Sequence, residues 1–140
     1  MSGETLSAKK GASLSPSVVW FMKQIFRLKI EQEIAISLLE ALPLPVYGDQ
    51  GQFIKNFASA SSNSKCYVRE KYWDVKKRLS EMGMITTEKV YIKVQGRRKQ
   101  VNGIVLDKKF IHKLELVTKG FIRLGRFGKV SEEEGQELFD

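Results

Sequence analysis

The sequence predicts an α+β fold, mostly α, in which a helix, a polar turn, a second helix and a basic two-stranded ribbon follow one another between Asn56 and Asp107. Three observations predict it. Val68, Tyr72, Val75, Leu79 and Met82 recur at helical spacing and put one apolar face on a helix over about 64–82. Val90, Ile92 and Val94 alternate as in a half-buried strand, with Ile104 and Leu106 as its return. Charge is concentrated as well: residues 64–129 hold 18 Lys/Arg but only 6 Asp/Glu, whereas residues 130–140 hold 5 acids and no base.

Residues 1–15, rich in Gly, Ser, Ala and Lys, read as a flexible tail, although Ser15-Pro16 already forms a helix start. Val18, Phe21, Met22, Ile25 and Phe26 then share one face. Ile34, Leu38, Leu39 and Leu42 fall on nearly the opposite side if the helix continues, so a break near Lys29–Glu33 is expected. That gives helices at about 16–29 and 31–42, the second ended by Pro43 and Pro45, with a loop over 46–50. Phe53, Ile54 and Phe57 suit a short helix at about 51–59. The run Ser59–Ser64 reads as a turn with several N-cap candidates. Gly83 fits the stop of helix 64–82. For the ribbon, a tip at Gly96–Lys99 is preferred over Asn102-Gly103, because the latter leaves a return strand of only about four residues. Gly103 would then mark a bulge. After Asp107, an N-cap candidate, Phe110, Ile111, Leu114, Val117 and Phe121 support a final helix to about 119–124. The expected organisation is one domain over 16–128, with a core module at about 31–107 and an acidic tail at 129–140.

The chain is long enough, and at 42% hydrophobic residues apolar enough, to bury one real core. A net charge of +8, concentrated in one block, suits a polyanion, most often nucleic acid. Cys66 is the single cysteine, so no internal disulfide forms and a reducing, cytoplasmic setting is expected. Lys23, Arg27 and Lys29 interrupt the only candidate membrane span, and no apolar segment follows Lys9-Lys10 as a signal peptide requires. Catalysis is not expected. His112 is the only histidine, without a Cys or His partner at metal-ligand spacing, and no Gly-rich phosphate loop, GxSxG or HExxH pattern occurs. No cofactor or metal is implied.

With the apolar face of helix 64–82 turned inward, Arg69, Trp73, Lys76, Lys77 and Ser80 project outward, and Ser64 and Lys65 sit at the N-terminal turn. Arg and Lys can meet guanine edges or phosphates, and Ser hydroxyls can meet phosphates. Glu70, Asp74 and Glu81 form a neighbouring acidic stripe that would repel phosphate unless Arg78 or Lys77 neutralises it. Trp73 is a large aromatic on the polar side, suited to DNA, to the N-terminal helix or to a second subunit. On the ribbon, Lys89, Lys93, Arg97, Arg98 and Lys99 are the candidates. Three consecutive cations at a tip repel one another and contribute nothing to folding, but they suit a phosphate backbone or a minor groove. Tyr67, Tyr72 and Tyr91 read as core or boundary aromatics.

Over about residues 31–107 the chain resembles the winged helix-turn-helix superfamily, MarR-like and PadR-like regulators being the nearest general likeness. The resemblance rests on the order of parts and on Leu79-Ser80-Glu81-Met82-Gly83-Met84-Ile85, which is similar to the segment that closes the recognition helix and begins the wing there. It implies that helix 64–82 reads the major groove of double-stranded DNA and that Arg97–Lys99 touches backbone or minor groove. It also implies a homodimeric transcriptional regulator, dimerising through helices 16–29 and 108–124. A protein-interaction adaptor anchored by Trp73, and a structural RNA-binding protein of ribosomal type, are the alternative expectations.

Overall fold

The computed structural model describes residues 14–126 and 128. The expected tail before residue 14 and the acidic tail over 129–140 lie outside the described residues. The fold is α+β and mostly helical. Its described elements run α1 (Pro16–Ile25), α2 (Lys29–Ala41), β1 (Leu44–Pro45), α3 (Asp49–Ser61), α4 (Lys65–Glu81), β2 (Ile85–Val94), β3 (Arg97–Leu106) and α5 (Lys108–Leu124). The sheet is antiparallel in the order β1-β3-β2.

Ser15 caps α1, its hydroxyl accepting from the Val18 N–H at 3.4 Å, with Pro16 in the first turn. The break expected near Lys29–Glu33 falls earlier, because Phe26 and Leu28 are extended and α2 begins at Lys29. The Gln32 amide spans the break by donating to the Phe26 carbonyl at 2.8 Å. The bend turns both stripes into one core: Met22 and Phe26 of the first segment meet Ile34, Ala35 and Leu38 of the second, all buried. A straight helix would have sent one of these stripes into water, at a cost of about 1.5–3 kcal/mol for each large side chain left exposed.

The stretch after Pro43, expected as a helix stop and loop, holds a short strand. Leu44 pairs with Ile104, Pro45 with Gly103, and the Val46 N–H donates to Asn102 at 2.9 Å. This is an edge strand, where proline's missing donor costs no ladder bond. Helix α3 is longer than expected. It takes in Ser59–Ser61, and only Ser62, at a left-handed φ of 59°, and Asn63 remain as the turn. Ser64 then caps α4, accepting from the Tyr67 N–H at 3.2 Å.

Helix α4 packs on both α2 and α3. Its stripe is the centre of the core, since Val68, Tyr72, Val75 and Leu79 are all completely buried. The Met84 N–H donates back to Leu79 at 3.0 Å, and the chain enters β2 at Ile85. The β2–β3 ladder is continuous from Ile85↔Leu106 to Val94↔Arg97. Its tip is Gln95-Gly96, both at positive φ (52° and 76°), the geometry of a two-residue type I′ hairpin turn. The expected tip at Gly96–Lys99 is therefore corrected: Arg97, Arg98 and Lys99 open the return strand. The reason is twist, since two left-handed residues match the right-handed coil of the flanking strands better than a longer loop would.

Gly103 marks no bulge. It pairs in register with Glu88, and a Cβ built on it would lie 2.5 Å from Cγ2 of Val90, so the missing side chain is the room that Val90 occupies. Gly103→Ala should therefore destabilise the fold by about 1–3 kcal/mol. Val90→Ala in the same chain should restore part of that loss, and urea unfolding of the two single variants and the double variant measures the coupling.

Candidate nucleic-acid interface

Once α4 commits Val68, Tyr72, Val75 and Leu79 to the core, its remaining side chains divide into two flanks. Arg69, Trp73, Lys76 and Ser80 follow one another at spacings of four, three and four residues and form one row. Asp74, Lys77, Arg78 and Glu81 lie on the other side. There they line an open cleft of about 650 Å³ against Phe26, Leu28 and Glu31 at the α1–α2 junction. The acidic stripe is thereby explained in part, since Asp74 and Glu81 belong to the cleft and not to the Arg69–Ser80 row. Neither is neutralised by Lys77 or Arg78: the one salt bridge among the described residues joins His112 and Glu115, at 3.9 Å.

The row is not uniform. Lys76 bends inward, and its Nζ donates to Oε1 of Gln50 at 2.9 Å and lies 4.9 Å from the centre of the Trp73 ring. Burial lowers its pKa below the usual lysine value. The same Gln50 oxygen accepts from the Tyr72 hydroxyl at 2.6 Å, while the Gln50 amide donates to the Val46 carbonyl at 3.1 Å. Burial raises the Tyr72 pKa, so this hydroxyl stays a donor. Lys76 was expected to project outward; it serves mainly to tie α4 to α3. Trp73 stands edge-on to Tyr72, with centroids 5.3 Å apart and planes at 79°, and remains 47% exposed. It packs against its own helix neighbour; α1 packs on α2. Lys65, Arg69, Lys77 and Ser80 are exposed, and so is Cys66. Ser64 is exposed too, but its oxygen is occupied by the helix cap.

The ribbon has two chemically different faces, set by the ladder. Side chains of paired residues share a face. One face carries Lys89, Tyr91 and Lys93 opposite Asn102, Gln100 and Arg98. The other carries Val90, Ile92 and Val94 opposite Val101, Lys99 and Arg97. The three consecutive cations are thus split, Arg98 to the polar face and Arg97 and Lys99 to the apolar one. Arg98 lies over the exposed ring of Tyr91, its guanidinium carbon 4.1 Å from the ring centre. That stack restricts a flexible side chain while leaving its outward N–H donors free.

Two residues here were not singled out from the sequence as functional. Tyr91 could have been: strand alternation opposite Val90 and Ile92 already puts it on one face with Lys89 and Lys93. Gln50 carried no local signal, because its partners lie 22 and 26 residues away. Compared with known proteins, the chain matches no family model, no curated protein and no solved structure.

The Gln50 hub makes a stability prediction. Gln50→Leu leaves the Tyr72 hydroxyl and Lys76 without their acceptor and should cost about 1–3 kcal/mol, whereas Tyr72→Phe, which keeps the Lys76 contact, should cost less. Chemical denaturation of both variants reads the difference.

Proposed function

We propose that this chain is a winged-helix protein that binds duplex DNA, with α3 and α4 as its helix-turn-helix pair, α4 as the recognition helix and β2–β3 as the wing. The observation that carries the reading is the charge arrangement. Lys65, Arg69, Lys89, Lys93, Arg97, Arg98 and Lys99 have no carboxylate partner among the described residues, and they occupy one flank of a capped helix and the hairpin that follows it. Folding gains nothing from cations that stay unpaired in water, whereas a phosphate backbone releases counterions to each of them.

Within this reading the roles differ. Arg69 stands one turn into α4 and can reach a base edge, and Lys65 sits at the end that enters a groove first. Ser80 offers a hydroxyl to a phosphate. Trp73, half exposed beside Arg69, adds an apolar contact to sugar or base. Lys77 reaches backbone from the cleft side. On the wing, Arg98, Lys93 and Lys89 form the contact face, Arg98 already oriented by Tyr91. Arg97 and Lys99 are secondary. A transcriptional regulator is the role such a module suits.

Affinity for duplex DNA measured across a salt series should fall with a slope of roughly −0.9 for each phosphate contacted. A flat dependence, or stronger binding to structured RNA at the same salt, would overturn the proposal. Arg69→Ala should reduce discrimination between sequences by about 1–3 kcal/mol, while Arg98→Ala should weaken all sequences alike and reduce the salt slope by about one. Tyr91→Ala should reproduce part of the Arg98→Ala loss and Tyr91→Phe should not, because a phenyl ring still supports the guanidinium. Equal effects of Arg97→Ala and Arg98→Ala would show that the two faces of the wing are not distinguished.

A further inference from the structure

Of the two 17-residue helices, α4 buries its apolar face and α5 leaves its own in water. Phe110 packs at the edge of the core, but every residue from Ile111 to Leu124 is exposed, Phe121 and Leu124 at 61% each. At about 100° per residue, Leu124, Val117, Phe121, Leu114, Ile111 and Ile122 share an arc of roughly 160°, interrupted by Thr118 alone. Lys108, Lys119, Arg123, Lys109 and Lys113 occupy the other side, with Leu116 as its one large apolar member. Lys109 and Lys113 border the apolar arc. Glu115, the one acid of the helix, stands at the opposite border, 3.9 Å from His112. The helix is thus apolar on one side and cationic on the other along its whole length.

We propose that α5 lies in the surface of an anionic lipid bilayer, parallel to its plane, with the Phe121 side among the acyl chains and the Lys/Arg side at the level of the lipid phosphates. Each side of the helix needs an occupant. A polyanion alone would neutralise the cations and leave the apolar face in water. A second α5 would cover only a narrow seam of that face, since two-helix packing uses the a and d positions. It would also set like charges together in either direction, because Lys108, Lys109 and Lys113 crowd one end of α5 and Lys119, Arg123 and Arg126 the other. An anionic bilayer satisfies both sides at once. Burial of apolar area and attraction of Lys and Arg to anionic headgroups add, which is how an amphipathic helix binds in the interface. The long Lys and Arg side chains keep their charge among the headgroups while their stems follow the apolar boundary. Among the described residues no helix is long and apolar enough to cross a membrane, so α5 lies along the surface, with about 25 Å of helix in contact. None of the residues offered to DNA belongs to α5, and the contact with lipid does not depend on them.

The test is flotation of the full chain, without nucleic acid, with phosphatidylcholine vesicles that do or do not contain about 30% phosphatidylglycerol. Binding to the anionic vesicles is expected, and much weaker binding to the neutral ones. The double variant Val117→Ser, Phe121→Ser removes apolar area and changes no charge, so it should lower the partition coefficient at least about 30-fold. Its main unfolding transition should stay where it is, because neither side chain is part of the core. A double variant that floats as the parent does overturns the proposal, since charge alone then holds the chain to lipid. Orientation is read in a Cys66→Ser background. A nitrobenzoxadiazole label on Thr118→Cys, inside the apolar arc, should shift to the blue on the vesicles and be quenched by spin-labelled acyl chains. The same label on His112→Cys, on the cationic side, should respond far less. Equal responses at the two positions, or none at Thr118→Cys, overturn the arrangement. A chain that ignores anionic vesicles overturns it as well, whether monomeric or self-associated. Failure of DNA binding leaves all of these readings unchanged, so the two proposals fail separately.

Discussion

Complete burial of one face of α4 is the constraint on which the rest of this structure depends. Val68, Tyr72, Val75 and Leu79 are each removed from water, and α2 and α3 pack on them from two sides. At about 1.5–3 kcal/mol for each large apolar side chain, no rotation of α4 about its axis could compensate for exposing the set. Its rotation is therefore fixed, and with it the division of its polar residues into the Arg69–Ser80 row and the Asp74–Glu81 cleft. Candidate function follows from packing here: which cations face solvent is decided by which neighbours are buried.

One polar contact refines that arrangement. Gln50 gathers the Tyr72 hydroxyl, the Lys76 ammonium and the Val46 carbonyl, so the centre of the core is joined to the start of α3 and to the chain just after β1. No buried side-chain polar atom among the described residues is left without a partner. A satisfied network of this kind holds α3 and α4 at one mutual angle and so fixes which flank of α4 faces solvent. Lys76 is thereby drawn inward from the otherwise exposed row.

The hairpin shows the same economy in a different geometry. A two-residue turn at Gln95-Gly96 sets the register, and the register sorts three adjacent cations onto opposite faces. One face collects Lys89, Lys93 and Arg98 around Tyr91, and the other collects valines and isoleucine around the gap that Gly103 leaves. Beyond the hairpin, α5 repeats the logic of α4 with the outcome reversed: its apolar face is as regular, and no element among the described residues covers it.

Much of this was legible in the residues themselves. The α4 stripe, the Ser15-Pro16 start, the Ser64 and Asp107 caps and the alternation of β2 are local patterns, with periods of 3.6 and 2 residues that any fold of the chain must respect. The mostly helical α+β class follows from them, as do the basic helix flank and the basic hairpin. Other features depend on partners far away in the chain. Leu44-Pro45 became a strand only because β3 offers it Ile104 and Gly103, and Gly103 is explained by Val90, not by its neighbours in sequence. Lys76 turned inward because Gln50 lies beneath it. Arg98 was separated from Arg97 and Lys99 by a turn one residue earlier than the run of charges suggested. Local periodicity determined which faces are apolar; only tertiary packing decided which of those faces are covered, because burial is settled by what arrives from elsewhere in the chain.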